Sequence, residues 1–186
     1  MLLWPQLIMR TNKLFATLLL ILSCSLQAAT LQGKVVSVAD GDTIKVLDAT
    51  NTQHKIRLQG IDAPEKAQAF GQKSKQSLSQ MVYNKQVVVE YQKKDKYGRT
   101  LGKVILNGTD VCLEQIKLGM ACHYKQYKSD QTKEDRETYA QAELAALAQA
   151  ERESAEAEAQ AKKQAVLKAL ADAAGLTVDE VTAVLN

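Results

Sequence analysis

Short runs of alternating apolar residues, separated by turn-forming residues, fill most of the chain between residues 31 and 106. Between residues 31 and 47, two such runs flank Asp40-Gly41-Asp42, a sequence typical of a tight turn, so we predict two strands joined there. A third strand is predicted at Lys55–Gly60, and it ends before Pro64 because proline cannot continue a hydrogen-bonded ladder. Alternation with a period of two is the signal of strands that are buried on one face.

The later segments of this region add one helix, two more strands and a second helix. The apolar residues of Gly71–Asn84 recur at helical spacing, which predicts a helix. Strands are predicted at Val87–Tyr91 and Leu101–Leu106, followed by a short helix at Val111–Leu118 that Gly119 ends. Five short strands with an interposed helix fit a small closed barrel of the OB type, within the α+β class.

The composition changes at Gln131 to Ala, Glu, Gln and Lys, with no Pro or Gly before Gly175. Such a stretch predicts one long helix, and Thr177–Glu180 then reads as a capping box that opens a last short helix. A helix of about 40 residues extends about 60 Å, far beyond the radius of about 13 Å of a 100-residue domain. We therefore expect residues 148–186 to form a helical extension, whose partner or oligomeric role the sequence leaves open.

Charge is distributed unevenly along the chain, although the net charge is only +3. Residues 31–130 hold 16 basic and 10 acidic residues, whereas residues 131–186 hold 6 basic and 11 acidic residues. The basic middle suits a polyanionic partner, and an ordinary surface of solvated lysines is the alternative. Hydrophobic residues make up 46% of the chain, which is enough for a globular core.

The N-terminus has the order of a secretory signal: two basic residues, an apolar run at Leu14–Leu22, and the small residues Ala28 and Ala29. We predict a signal peptide over residues 1–29 and a secreted or periplasmic protein. The apolar run is shorter than the roughly 20 residues that span a bilayer, so no stable membrane span is expected. Met9 is an alternative start, and lipidation at Cys24 is an alternative to simple cleavage.

Two cysteines, Cys112 and Cys122, remain after removal of the signal. The segment between them reads as a helix, which separates them by about 15 Å. A disulfide tolerates about 7 Å between Cα atoms. We therefore predict two free thiols.

Three acidic residues lie at predicted turns and strand ends, namely Asp42, Asp62 and Glu65, and they are considered together with two arginines, Arg57 and Arg99. Oxygen ligands without a neighbouring His or Cys suit a hard cation, Ca²⁺ or Mg²⁺. Arginine offers phosphate a planar fork of donors that lysine lacks. Each residue taken singly is an ordinary turn or surface charge, so the indication of phosphate chemistry lies in the combination.

Three stretches in a fixed order resemble the signatures of staphylococcal-nuclease-like (thermonuclease) domains: Val38–Thr43, Ile56–Glu65 and Asp95–Arg99. The resemblance covers roughly residues 31–145, and we assign the domain to residues 30–147. It implies an OB-type barrel with three helices and one bound calcium ion. It also implies cleavage of single-stranded and duplex DNA and RNA, with 3′-phosphate products.

The resemblance assigns metal ligands residue by residue. Asp42 and Asp62 match the carboxylate ligands of the calcium ion, and the backbone carbonyl of Ala63 matches a third ligand. The best-known member of the family has threonine at the position of Ala63. A carbonyl ligand survives that change, whereas a hydroxyl contact does not.

The resemblance also assigns catalytic and nucleotide-binding roles. Glu65 matches the residue that positions or deprotonates the attacking water, and Arg57 and Arg99 match the pair that holds the phosphate. Three further positions match nucleotide contacts: Lys96, Tyr97 and Tyr127. The alignment is loose beyond residue 122, so Tyr124 is an alternative to Tyr127.

Two other functions remain open at this point. A module of the same fold can bind nucleic acid without cutting it, and such domains lose acidic or arginine positions that this chain keeps. Alternatively, the C-terminal extension is the functional part, as an assembly or attachment segment. The sequence favours the enzyme, a calcium-dependent phosphodiesterase acting on DNA and RNA.

Overall fold

The computed structural model describes residues 29–185, apart from the side chains of Tyr127 and Leu185. The predictions for the signal segment, including a start at Met9 and lipidation at Cys24, lie outside the described residues. No helix within the described part is long and apolar enough to cross a membrane.

Eight strands occur in the described residues: β1 (Ala29–Asp40), β2 (Thr43–Leu47), β3 (Gln53–Leu58), β4 (Ile61–Asp62), β5 (Gln86–Lys94), β6 (Thr100–Leu106), β7 (Thr109–Asp110) and β8 (Cys122–His123). The helices are α1 (Gly71–Val82), α2 (Val111–Lys117), α3 (Lys133–Ala174) and α4 (Val178–Leu185), with a 3-10 helix at Lys125–Asp130. The five predicted strands and the predicted helices are therefore present, with ends shifted by a few residues.

Strands β1, β2, β3, β5 and β6 form a closed barrel. The antiparallel order is β3-β2-β1-β5-β6, and a parallel pairing between β3 and β6 closes it. In that closing pair Ile56 lies opposite Thr100, and Leu58 lies opposite Gly102. Gly102 has no space for a side chain, since a Cβ there would lie 2.4 Å from Val89 Cγ1. The predicted OB-type barrel is confirmed.

The core lies inside the barrel and beneath the two helices that cover it. Alternate strand residues point inward, so Ile44, Val46 and Ile56 are fully buried. Helix α1 adds Leu78 and Val82 to the same cluster. Both described cysteines are free, Cys112 buried and Cys122 exposed, as predicted.

Helix α3 is a single helix of 42 residues that leaves the barrel after its first turns. Its buried residues are Tyr139, which packs into the barrel core, and Ala171, near its C-terminal end. Every residue of α3 from 149 to 166 is exposed. Gly175 ends α3 in the left-handed conformation, and helix α4 packs back against it. The domain boundary predicted at residue 147 falls within this continuous helix.

Tyr139 anchors α3 to the barrel. Its hydroxyl donates to Asp110 Oδ2 (2.7 Å), while Asp110 Oδ1 accepts from the backbone N–H groups that begin α2. Lys103 Nζ forms ion pairs with Asp110 (3.4 Å) and with Asp135 of α3 (2.6 Å). A buried aromatic ring and a shared carboxylate thus join α2, α3 and the barrel.

We expect Tyr139→Ala to lower the free energy of unfolding by about 3–5 kcal/mol, the usual effect of removing a buried aromatic side chain. The control is Leu147→Ala, on the same helix but 58% exposed, which should cost less than about 0.5 kcal/mol. Urea denaturation of both variants measures the difference. Equal losses would show that α3 is not anchored through Tyr139.

Candidate active site

The turn between β1 and β2 directs an aspartate into the protein. Asp40 Oδ1 accepts a hydrogen bond from the backbone N–H of Asp42 (3.2 Å). Gly41 approaches α1 so closely that a Cβ would lie 1.8 Å from Ser74 Oγ. Gln115 Nε2 also donates to the Gly41 carbonyl (2.9 Å). These contacts fix the turn, and Asp42 is only 5% exposed.

A second aspartate reaches the same place from β4. Asp62 lies opposite Cys122 in the short β4–β8 pair, and its side chain is 57% exposed. The next backbone N–H, that of Ala63, donates to Asp42 Oδ2 (2.9 Å). This hydrogen bond ties the loop after β4 to the turn after β1.

Arg57, on β3, joins the two aspartates. Its Nη1 lies 2.7 Å from Asp42 Oδ2, and its Nη2 lies 2.8 Å from Asp62 Oδ1. Nη1 also donates to the carbonyls of Leu58 (3.3 Å) and Ile61 (3.0 Å). The Arg57 side chain is 12% exposed. One guanidinium therefore organises both carboxylates and the chain between β3 and β4.

The buried aspartate is electrostatically poised for a further positive charge. Burial raises the pKa of Asp42 to about 7, although Arg57 and the Ala63 N–H oppose that rise. The Asp40 carboxylate raises the pKa further, because like charges disfavour ionisation. Asp40 was not predicted to act at the site, and its place two residues before Asp42 was the available signal.

Glu65 has a fixed backbone and an exposed side chain. Its N–H donates to Gln68 Oε1 (2.8 Å), and its carbonyl accepts from the Gln68 N–H (2.8 Å). A Cβ at Gly71 would lie 2.0 Å from that carbonyl oxygen, so α1 begins directly against this turn. The carboxylate forms no hydrogen bond or ion pair with any residue between 29 and 185 that the structure describes, so no structural contact occupies it.

The second arginine is held by its own loop. Asp95 accepts hydrogen bonds from the N–H groups of Tyr97 and Arg99 (2.9 Å each) and from Arg99 Nε (2.7 Å). Burial alone raises the pKa of Asp95, but the bonds from Arg99 and Tyr97 outweigh it and lower that pKa below its usual value. The Arg99 guanidinium also lies 5.5 Å from the centre of the Tyr97 ring, a cation–π contact. These contacts hold the Arg99 side chain through its Nε and through the face of the guanidinium.

A cleft of about 440 Å³ contains both arginines. It is bounded by the end of β3 on one side and by the β5–β6 loop on the other. Its basic and aromatic lining residues are Arg57, Arg99, Lys93, Lys94, Lys96, Tyr97 and Tyr124. Cations beside exposed aromatic rings are the combination that binds the phosphates and bases of a single strand.

The structure brings together three of the predicted site residues in one bonded unit: Asp42, Asp62 and Arg57. Three more line the adjoining cleft: Arg99, Lys96 and Tyr97. Tyr124, the alternative nucleotide contact, lines it as well, whereas the side chain of Tyr127 lies outside the described residues. The cleft also contains Gln59 and Asp130, to which the sequence assigned no role.

The oxygen atoms of Asp42 and Asp62 are of the kind that a hard cation prefers. Within residues 29–185 no group of three or more His, Cys, Asp and Glu side chains is arranged to hold a metal ion. A cation beside Asp42 and Asp62 would therefore rely on two carboxylates, a backbone carbonyl and water. Oxygen-only shells completed by water are characteristic of Ca²⁺ and Mg²⁺.

Comparison with known proteins agrees with this geometry. Residues 55–154 match the family described as Staphylococcal nuclease homologue. The chain is 45% identical to an "Uncharacterized endonuclease" of Haemophilus influenzae over 125 residues, covering 66% of this chain and 70% of that protein. It is 40% identical to an "Uncharacterized endonuclease" of Escherichia coli O157:H7 over 120 residues, covering 64% and 78%. It is 38% identical to a "Micrococcal nuclease" of Shigella flexneri over 108 residues, covering 53% and 62%.

The family match extends from β3 into α3 and includes Arg57, Asp62, Glu65 and Arg99. It therefore spans the second and third sequence motifs and the strands that close the barrel. From its five-stranded barrel, its motifs and these relatives, the chain belongs to the staphylococcal nuclease family.

Proposed function

We propose that the chain is an exported, calcium-dependent nuclease that hydrolyses phosphodiester bonds in DNA and RNA. One observation carries the proposal: Arg57, which forms ion pairs with Asp42 and Asp62, lines a cleft that also contains Arg99 and several lysines. Carboxylates that suit a cation thus adjoin arginines that suit a phosphate. The relatives named as endonucleases and as a micrococcal nuclease support the same reaction class.

The metal assignment rests on Asp42, Asp62 and the carbonyl of Ala63. These oxygens would hold one calcium ion, and the high pKa of Asp42 reflects a buried carboxylate that a nearby cation would stabilise in its ionised form. When bound, the ion supplies Lewis-acid polarisation of a phosphate oxygen.

The remaining steps belong to side chains of the chain itself. Glu65 accepts a proton at its carboxylate from the attacking water as the water oxygen bonds to phosphorus. The P–O5′ bond breaks, and the leaving oxygen takes a proton from solvent to become the 5′-hydroxyl of the next nucleotide. Arg57 and Arg99 stabilise the negative charge that grows on the phosphoryl oxygens. Lys96 and Tyr97 hold the neighbouring nucleotide in the cleft. The products proposed are 3′-phosphates, in line with the family resemblance.

A nucleic-acid-binding module without catalysis is the alternative. The retained motif residues argue against it, because binding-only domains of this fold lose acidic or arginine positions and this chain keeps Asp42, Asp62, Glu65, Arg57 and Arg99. Export is proposed from the basic, apolar and small-residue order of residues 1–29.

Cleavage of plasmid DNA should require calcium and should stop in excess chelator, because the proposed reaction needs a metal ion to polarise a phosphate oxygen, and oxygen ligands without His or Cys suit calcium. Magnesium should support little cleavage, since it requires a tighter octahedral shell. Asp62→Asn should raise the calcium concentration for half-maximal activity, whereas Asp172→Asn, on the exposed end of α3, should not. Full activity in excess chelator would contradict the metal assignment.

Glu65→Gln keeps the size of the side chain and removes the base. Cleavage should fall at least about 10²-fold, in the range of general-base assistance. Affinity for an oligonucleotide in calcium, measured by fluorescence anisotropy, should change little. The control is Glu90→Gln, an exposed position on β5. Near-normal cleavage by Glu65→Gln would reject the mechanism, and tight binding without cleavage by the unmodified protein would favour the binding module.

Deletion of residues 150–186 should leave the rate of DNA cleavage nearly unchanged. The truncated helix keeps Tyr139, and every residue that is assigned to the site or lines the cleft precedes residue 131. Size-exclusion chromatography should show a clear decrease in hydrodynamic radius. Circular dichroism checks that the truncated protein is folded. If it is folded and its activity has fallen by more than about tenfold, the extension helps to build the site.

A further inference from the structure

A second pocket adjoins the cleft. It has a volume of about 120 Å³ and shares four lining residues with the cleft, namely Gln59, Lys93, Leu101 and Asp130. Gln92 and Ser129 complete it. Because the two pockets share a wall, a strand that leaves the cleft on this side passes over the second pocket.

The shared wall is built around Asp130. Lys93 Nζ lies 2.7 Å from Asp130 Oδ1, and Gln59 Nε2 donates a hydrogen bond to the Asp130 backbone carbonyl. Asp130 ends the 3-10 helix and its side chain is 16% exposed, whereas the side chain of Lys93, on β5, is 52% exposed. The carboxylate is therefore the fixed member of this ion pair, and the ammonium is the accessible one.

The chemistry of this arrangement suits a phosphate more than a base. An ammonium group has three N–H donors, so the bond to Asp130 leaves donors of Lys93 for a ligand. The Gln92 amide and the Ser129 hydroxyl add polar groups, and none of the described residues that line this pocket is aromatic. The Asp130 carboxylate would repel a phosphate if it were alone, but the salt bridge neutralises it.

We propose that the second pocket is a subsite for the sugar–phosphate unit next to the scissile phosphate. Lys93 contacts that neighbouring phosphate, and Asp130 is a positioning residue that fixes Lys93. This inference rests on the proposed function, since it extends the same cleft along a polynucleotide. The subsite makes the protein favour chains of several nucleotides over a dinucleotide. A dinucleotide is too short to occupy both pockets and the reacting centre together.

The test compares kcat/KM for dithymidylate and octathymidylate in calcium. Lys93→Gln should lower the octamer-to-dimer ratio by about three- to tenfold, the effect of one lost phosphate contact. The slope of log KM for the octamer against log salt should fall by about 0.7. Asp130→Asn should lower the ratio in the same direction by a smaller factor, because Lys93 keeps its charge but loses its anchor.

The matched control is Lys128→Gln, which removes one exposed positive charge of the 3-10 helix outside both pockets. If the octamer-to-dimer ratio of kcat/KM is the same for Lys93→Gln as for Lys128→Gln, the subsite is overturned. An Asp130→Asn protein that loses stability and acts equally poorly on both substrates would also overturn the subsite, because that result would give Asp130 a purely structural role.

A separate readout keeps the subsite testable if the protein cuts nothing. Fluorescence anisotropy then compares binding of the labelled dimer and octamer by the unmodified protein and by Lys93→Gln. A selective loss of octamer affinity supports the subsite although the nuclease proposal has failed. Equal losses for the two ligands overturn the subsite.

Discussion

The Arg57 guanidinium lies between the carboxylates of Asp42 and Asp62 and also binds the carbonyls of Leu58 and Ile61. A buried carboxylate such as Asp42 is costly unless a positive group and hydrogen-bond donors surround it. Here the same guanidinium provides that charge and fixes the chain as it leaves β3. The geometry of these two carboxylates therefore depends on the path of the barrel strand beside them.

Much of the fold was predictable because its signals are local. The period-two runs of β1 to β3, the helical spacing of α1 and the glycine after α2 each lie within one short window of sequence. The two-residue strands β4 and β8 and the 3-10 helix at Lys125–Asp130 were not predicted, since they are too short for any periodicity to appear. The parallel pairing of β3 with β6 was also beyond reach, because it joins residues that no local pattern relates.

The same difference between local signals and long-range contacts applies to the candidate site. The motifs place Asp42, Arg57 and Asp62 in the sequence, and the structure shows Arg57 in ion pairs with both aspartates. The role of Asp95 was missed although its partner Arg99 lies only four residues away. Asp130 gave no signal at all, because its contact with Gln59 spans 71 residues of sequence. Long-range contacts of this kind require the folded chain.

The parallel pairing of β3 with β6 closes the barrel and also brings two arginines to the same place. Arg57 lies on β3 and Arg99 immediately precedes β6, so the two arginines flank the parallel pair that forms only when distant parts of the chain meet. Before β3 and β6 pair, nothing in the barrel holds these two arginines beside one another. On the proposed function, the grip of the protein on a phosphate therefore depends on closure of the barrel.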